Sequence, residues 1–286
     1  MSYRTILVHL NDSRRAPKLL QHAAEITKAF EARLIGLHVS PAFDKRVANA
    51  HLPHIPGVEG LTFSRDEETD HLRAIFEEVT NNQRLSGEFR VITAQHHSAQ
   101  DIVVARARAA DLVVASQADS DWRLSSLLDC SEQLAIECGR PVMIIPNAGK
   151  SRALPRKAII AWNQSREATR AMYEAVPLLK GARTIELLTL DVPRIGEALT
   201  DQAEEIVLPA SAVAQSLAEH GIHLTITTLK ATAASVGDQI CARANEEQAD
   251  LVVMGAYGHS RLREFVFGGA TRHVLTHMPV PTLFSH

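Results

Sequence analysis

The chain has 286 residues, 45% of them hydrophobic, 22% charged and 5% aromatic, and 30 Lys+Arg against 33 Asp+Glu leave a formal net charge of -3. That length holds two domains at roughly 100–200 residues each, and the charge balance, without a basic run, excludes a broad electrostatic surface for nucleic acid. Three scattered cysteines exclude a disulfide framework or cysteine zinc site, and no stretch reaches the roughly 20 apolar residues of a membrane helix or the pattern of a signal peptide, so the expectation is a soluble cytoplasmic protein.

In chain order, apolar runs predict strands near 4–10, 33–39, 88–93, 111–115 and 141–146, and again at 157–162, 183–190, 222–229, 250–254 and 280–285, with helical patterns between them. Runs such as ILVHL, LVVA and LVVM are nearly continuous hydrophobics, as in strands covered on both faces. From Pro41 to residue 64, three prolines and the lack of a period predict an irregular surface excursion. The second series of strands repeats the first. YRTILVHLNDSRRAPKLLQHAAEI from Tyr3 aligns with RKAIIAWNQSREATRAMYEAVPLL from Arg156, ADLVVASQADS from Ala110 with ADLVVMGAYGHS from Ala249, and RPVMIIP from Arg140 with MPVPTLFSH from Met278. Residues 1–147 and 155–286 are therefore the expected domains, joined by a polar stretch containing Gly149 and Pro155. The predicted class is α/β, two tandem doubly wound five-stranded parallel sheets with right-handed crossovers. Ligands of such sheets sit beyond the carboxyl ends of the strands where their order reverses, which directs attention to the loops after the first and fourth strand of each half.

After the fourth strand of the second half comes MGAYGHSRLREFVFGGAT from Met254, with Gly255, Gly258 and the pair Gly268-Gly269 before a helix predicted from Ala270 to His277. Glycines clustered in one strand-to-helix loop imply unusual dihedrals or close approach of a ligand to the backbone. A helix N-terminus behind them offers free amides to a phosphate, and Thr271 could add a hydroxyl. A structural turn with glycines at positive φ is the alternative, and Arg261 and Arg263 between the glycines face either phosphates or solvent.

This pattern resembles the universal stress protein family, whose ATP-binding members carry G-x2-G-x9-G-[ST] after the fourth strand. The resemblance covers the whole chain as a tandem, including the Asn-x-Ser turn after each first strand and the closing PV strand. It implies strand order 3-2-1-4-5 and an adenine nucleotide alpha-hydrolase-like fold. It further implies phosphate contacts from Gly255, Gly258, Gly268, Gly269, Ala270 and Thr271, with Ala161, Trp162 and Asn163 bordering the adenosine, Leu190 and Met254 flanking the adenine, and ATP with Mg as the ligand. Gly269 departs from the family's Ser or Thr, and Asn163 from the usual Asp, although its amide can still hydrogen-bond a hydroxyl. The first half has Ser116 and Asp119 where the second has Gly255 and Gly258, and Asp129-Cys130 near Gly268-Gly269, which implies one site per chain. Fifth strands pair between subunits in this family, so Pro141–Pro146 and Val280–Ser285 are expected to form an intramolecular pseudo-dimer, open to dimerising again as a homodimer.

Other signals carry less. Gly149-Lys150-Ser151 lacks the first glycine and following helix of a phosphate-binding P-loop, and neither half has G-x-G-x-x-G after its first strand. His273 and His277 share a helix face and His96-His97 adjoin, without a third metal ligand; a surface role is the simpler reading. The cysteines read as small buried residues, Trp162 as either ligand neighbour or core, and Ser165 as a helix cap. With no defensible nucleophile or paired carboxylates, the sequence favours binding over turnover: a stress-response protein holding ATP, ADP or AMP in its C-terminal half as a regulatory ligand. The alternatives are a slow ATP hydrolase or transferase, with Glu264 as the local base, and a non-nucleotide binding module with a degraded ATP site.

Overall fold

The computed structural model describes residues 2–41, 65–149, 151–191, 208–230, 232, 234–257 and 269–286. Among them the first half runs β1 (Thr5–His9), α1 (Ala16–Phe30), β2 (Arg33–Pro41), α2 (Arg65–Gln83), β3 (Gly87–Ala94), α3 (Ala99–Ala107), β4 (Leu112–Ser116), α4 (Ser125–Leu128), α5 (Ser131–Glu137) and β5 (Val142–Ile145). The second half runs β6 (Lys157–Trp162), α6 (Arg166–Leu179), β7 (Thr184–Asp191), α7 (Ala210–Glu219), β8 (Thr225–Lys230), α8 (Val236–Glu246), β9 (Leu251–Gly255), α9 (Gly269–His277) and β10 (Thr282–Ser285). Beyond Pro41, the excursion predicted to residue 64 lies outside the described residues.

The central strands are buried along their whole length, as β4 and β5 are, because helices cover both faces of the sheet. Period-two alternation then deals their side chains into two cores. Ile6 and Val8 of β1 join α1, α2 and α6 in one, while Leu7 joins α3, α5, α8 and α9 in the other. Helix starts are fixed locally: Ser98, Ser165 and Ser235 each accept the backbone N–H three residues on, at 3.0, 3.0 and 3.1 Å.

Within each half the order is the predicted one, 3-2-1-4-5, but the halves do not form separate parallel sheets. All ten strands make one mixed sheet in the order β3-β2-β1-β4-β5-β10-β9-β6-β7-β8, because β5 and β10 pair antiparallel through Ile144↔Thr282, Met143↔Leu283 and Val142↔Phe284. The physical reason lies in the strands themselves. VMII and TLFS are buried along their length, and as free edges they would bring apolar side chains to the rim of the sheet beside a row of unpaired amides and carbonyls. Both cores cross the seam, Met143 meeting Leu283 in one and Ile144 meeting Phe284 in the other. Side chains brace it as well: Gln117 donates to the last-turn carbonyls of α9, Leu275 O at 3.0 Å and Thr276 O at 2.7 Å, and Arg170 reaches Gly139 O at 2.7 Å. Among the described residues no helix is long and apolar enough to cross a membrane.

Candidate functional site

In the second half the order reverses between β6 and β9, which pair directly from Ala158↔Leu251 to Ala161↔Met254. Beyond β6, Asn163 Oδ1 accepts the Ser165 N–H at 3.1 Å and Gln164 takes φ +65°, a tight turn that delivers the chain into α6. Ser165 caps that helix, as its sequence position suggests. Beyond β9, the Ala256 N–H donates to Ser285 O at 2.8 Å, and Tyr257, at φ +48°, donates its N–H to Thr271 Oγ1 at 3.2 Å. Thr271 is buried in the first turn of α9 and ties that turn to the loop after β9.

The registers separate the residues expected around the adenosine. Ala161 pairs with Met254 on one side and Leu188 on the other, so Ala161, Met254 and, two residues further along β7, Leu190 share one face of the sheet. Trp162 points to the opposite face, where it is 5% exposed within the core and its indole N–H has no partner among the described residues. Asn163 is exposed at the turn. Gly255 is required by packing: a Cβ there would lie 2.5 Å from Ala168 N and 2.6 Å from Glu167 C, inside the first turn of α6. Gly269 is the reverse case, exposed at the start of α9 with nothing among the described residues within 4 Å of where a Cβ would stand. Gly258, Gly268, Glu264, Arg261 and Arg263 lie outside the described residues.

Two features were missed from the sequence. Glu167, in the first turn of α6 and only 5% exposed, gives Oε1 to Arg166 at 3.1 Å, while Oε2 is buried without a hydrogen-bond partner among the described residues. Its side chain lies against Gly255, at the carboxyl end of β9. Glu132, on α5 of the first half, accepts the Tyr257 hydroxyl and Arg272 of α9, at 3.4 Å for the latter. Superposing the two Asn-x-Ser turns, Asn11 on Asn163 and Ser13 on Ser165, flags Glu167, which then stands where the first half has Arg15.

Elsewhere, His273 Nε2 lies 3.0 Å from Asp238 and stacks on His277, and hydrogen bonding from Ser235, then the two histidines, holds Asp238 below its ordinary range. Among the described residues no group of three or more His, Cys, Asp or Glu side chains is placed to hold a metal ion. The three cysteines are buried and unpaired; burial pushes Cys241 up to about 11 and Cys130 further still. A cavity of about 360 Å³ opens at the opposite, amino ends of the strands, lined by Leu7, Ile35, Arg90 and Arg106 among others.

A model of the Universal stress protein family matches residues 2–146 and 155–286. The chain belongs to the universal stress protein family. Universal stress protein Slr1230 of Synechocystis sp. is 25% identical over 142 residues, 46% of this chain and 47% of that protein, so the match spans about half the length of this curated relative. Among solved structures, a universal stress protein from Archaeoglobus fulgidus shares the fold over 98% of this chain and 95% of its own, with a TM-score of 0.69 at 14% identity. A shorter A. fulgidus universal stress protein, solved in complex with dAMP, matches 50% of this chain and 98% of its own at 18% identity and a TM-score of 0.34.

Proposed function

We propose that this universal stress protein binds one adenine nucleotide, ATP in the first instance, at the switch point of its second half, as a regulatory ligand rather than a substrate. The observation that carries the reading is the convergence there of the Asn163 turn, the glycine end of β9 and the N-terminus of α9, where no described residue crowds Gly269. The first-turn amides of α9 and its dipole suit a phosphate. Ala161, Leu190 and Met254, sharing one face, offer an apolar wall to the base, and Asn163 a polar edge to the ribose. Gly258, Gly268, Gly269, Ala270 and Thr271 supply the phosphate end.

The buried orphan oxygen of Glu167 fits a divalent cation. A carboxylate close to phosphates is unfavourable unless a cation intervenes, and Mg²⁺ is commonly held by one or two carboxylates together with substrate phosphates. When bound, Mg²⁺ would neutralise phosphate charge. Glu167 would hold it, and Arg166 would keep the other carboxylate oxygen in place.

The pairing of β5 with β10 supports reading the chain as a pseudo-dimer whose two-fold contact is internal, and the buried unpaired thiols support a reducing, cytoplasmic location. Titration calorimetry of Mg-ATP into nucleotide-free protein tests the central claim. The expected result is about one equivalent per chain, lost in Gly258→Asp; no heat and no thermal shift would overturn it.

A further inference from the structure

The first half lacks the glycines of the second, and its cleft is filled by its own side chains. Counted from the end of β4, Asp129 stands where Gly268 stands counted from the end of β9, and it is 7% exposed. Four donors converge on its carboxylate, two on each oxygen. Asn11 Nδ2 at 2.8 Å and Arg15 Nη2 at 2.7 Å meet Oδ1; the Asp119 N–H at 2.9 Å and Ser125 Oγ at 2.7 Å meet Oδ2. Asn11 and Arg15 come from the turn after β1 and Asp119 and Ser125 from the segment after β4, so the donors are drawn from both walls of the switch-point cleft. Arg15 is itself fixed, donating to Gln117 O at 3.0 Å, pairing with Asp12 at 3.2 Å and lying over the Trp122 ring at 4.7 Å. A part-buried guanidinium, a backbone amide, a side-chain amide and a hydroxyl closing on one anion are the parts from which phosphate sites are built.

We propose that the first-half cleft is an oxyanion site occupied by the chain's own Asp129 carboxylate, which stands in place of a phosphate and keeps that half from taking a nucleotide. The cradle rests on the distances above alone. The contrast with an open second half rests on the proposed nucleotide site. The charges of the two clefts agree with the contrast. In the first, the chain supplies both cation and anion, Arg15 and Asp129; in the second, the matching sequence positions are Glu167 and Gly268, so the residue that corresponds to Asp129 carries no carboxylate.

The test is Asp129→Gly in the full chain. Without added anion the variant is expected to melt roughly 5 °C lower, as for the loss of charge-assisted hydrogen bonds in a domain of this size. Inorganic phosphate should then raise its Tm saturably, beyond any shift in the wild type, and change Trp122 fluorescence in a Trp162→Phe background. Adding Arg15→Ala should abolish both responses. Rescue by formate but not by phosphate would overturn the phosphate analogy, and no response to either would overturn the cradle. Should Asp129→Gly fail to fold, equilibrium dialysis of ATP against the wild type decides. Two equivalents per chain overturn the proposal, one supports it together with the second-half site, and none supports it while removing that site.

Discussion

The phenol of Tyr257, just past β9 in the second half, donates a hydrogen bond to the carboxylate of Glu132 on α5 of the first half. Burial, then the bond to Glu132, pushes this hydroxyl up to about 12. The folded value lies above the ordinary 10 of an unfolded tyrosine, so the contribution is intact below pH 10 and is lost as pH rises from 10 towards 12. Urea midpoints at about pH 9 and about pH 11.5 should therefore fall less in Tyr257→Phe than in the wild type. An equal fall in both proteins would contradict the assignment.

Two glycines of one motif should behave in opposite ways. Gly255→Ala drives a methyl into the backbone of α6 and is expected to cost about 1–3 kcal/mol in thermal unfolding. Gly269→Ala meets none of the described residues and should stay within about 0.5 kcal/mol of the wild type. Similar losses at both positions would refute the packing explanation for Gly255.

Glu167→Gln removes a charge whose second oxygen is buried and unpaired. Nucleotide-free protein should gain about 1–3 kcal/mol in urea unfolding. In calorimetry the preference for Mg-ATP over free ATP should shrink about tenfold, equivalent to about 1.4 kcal/mol. An unchanged preference would remove Glu167 from the cation's surroundings.

On β7, buried Glu186 is gripped by Arg243 of α8 through two bonds, Nε at 3.0 Å and Nη2 at 3.3 Å. Arg243→Met strands that carboxylate and should cost about 3–5 kcal/mol, most of it recovered when Glu186→Leu is added. A double variant as unstable as the single would show that the cost comes from packing instead.

A regulatory ligand should not be consumed. Mg-dependent ATP turnover is expected to be negligible and indifferent to Glu264→Gln. Steady turnover abolished by that change would make the protein a hydrolase.

The strands were legible because burial on both faces leaves unbroken apolar runs, and each lies within a few residues of its predicted place. The antiparallel join of β5 to β10 carries no periodic signal of its own; it pairs residues some 140 positions apart, such as Met143 and Leu283, and was anticipated only through family resemblance. At the site, the Asn163 turn and Ser165 cap follow from local chemistry. The opposed faces of Ala161 and Trp162 were implicit in period-two alternation. The packing demand on Gly255 was not, because it depends on where α6 comes to lie. In the sequence Asp129 reads as a lost glycine; only the geometry shows the donors gathered around it.

The seam between β5 and β10 also bears on symmetry. When two identical chains meet about a two-fold axis, one gene writes both clefts, and any substitution appears in each. Here the two clefts are separate stretches of one polypeptide. Arg15 and Glu167 occupy equivalent places with opposite charge, a pairing that no homodimer of a single-domain ancestor could hold. Carrying both clefts on one chain lets them differ residue by residue, and a point substitution in this chain alters one cleft while leaving the sequence of its twin as an internal control.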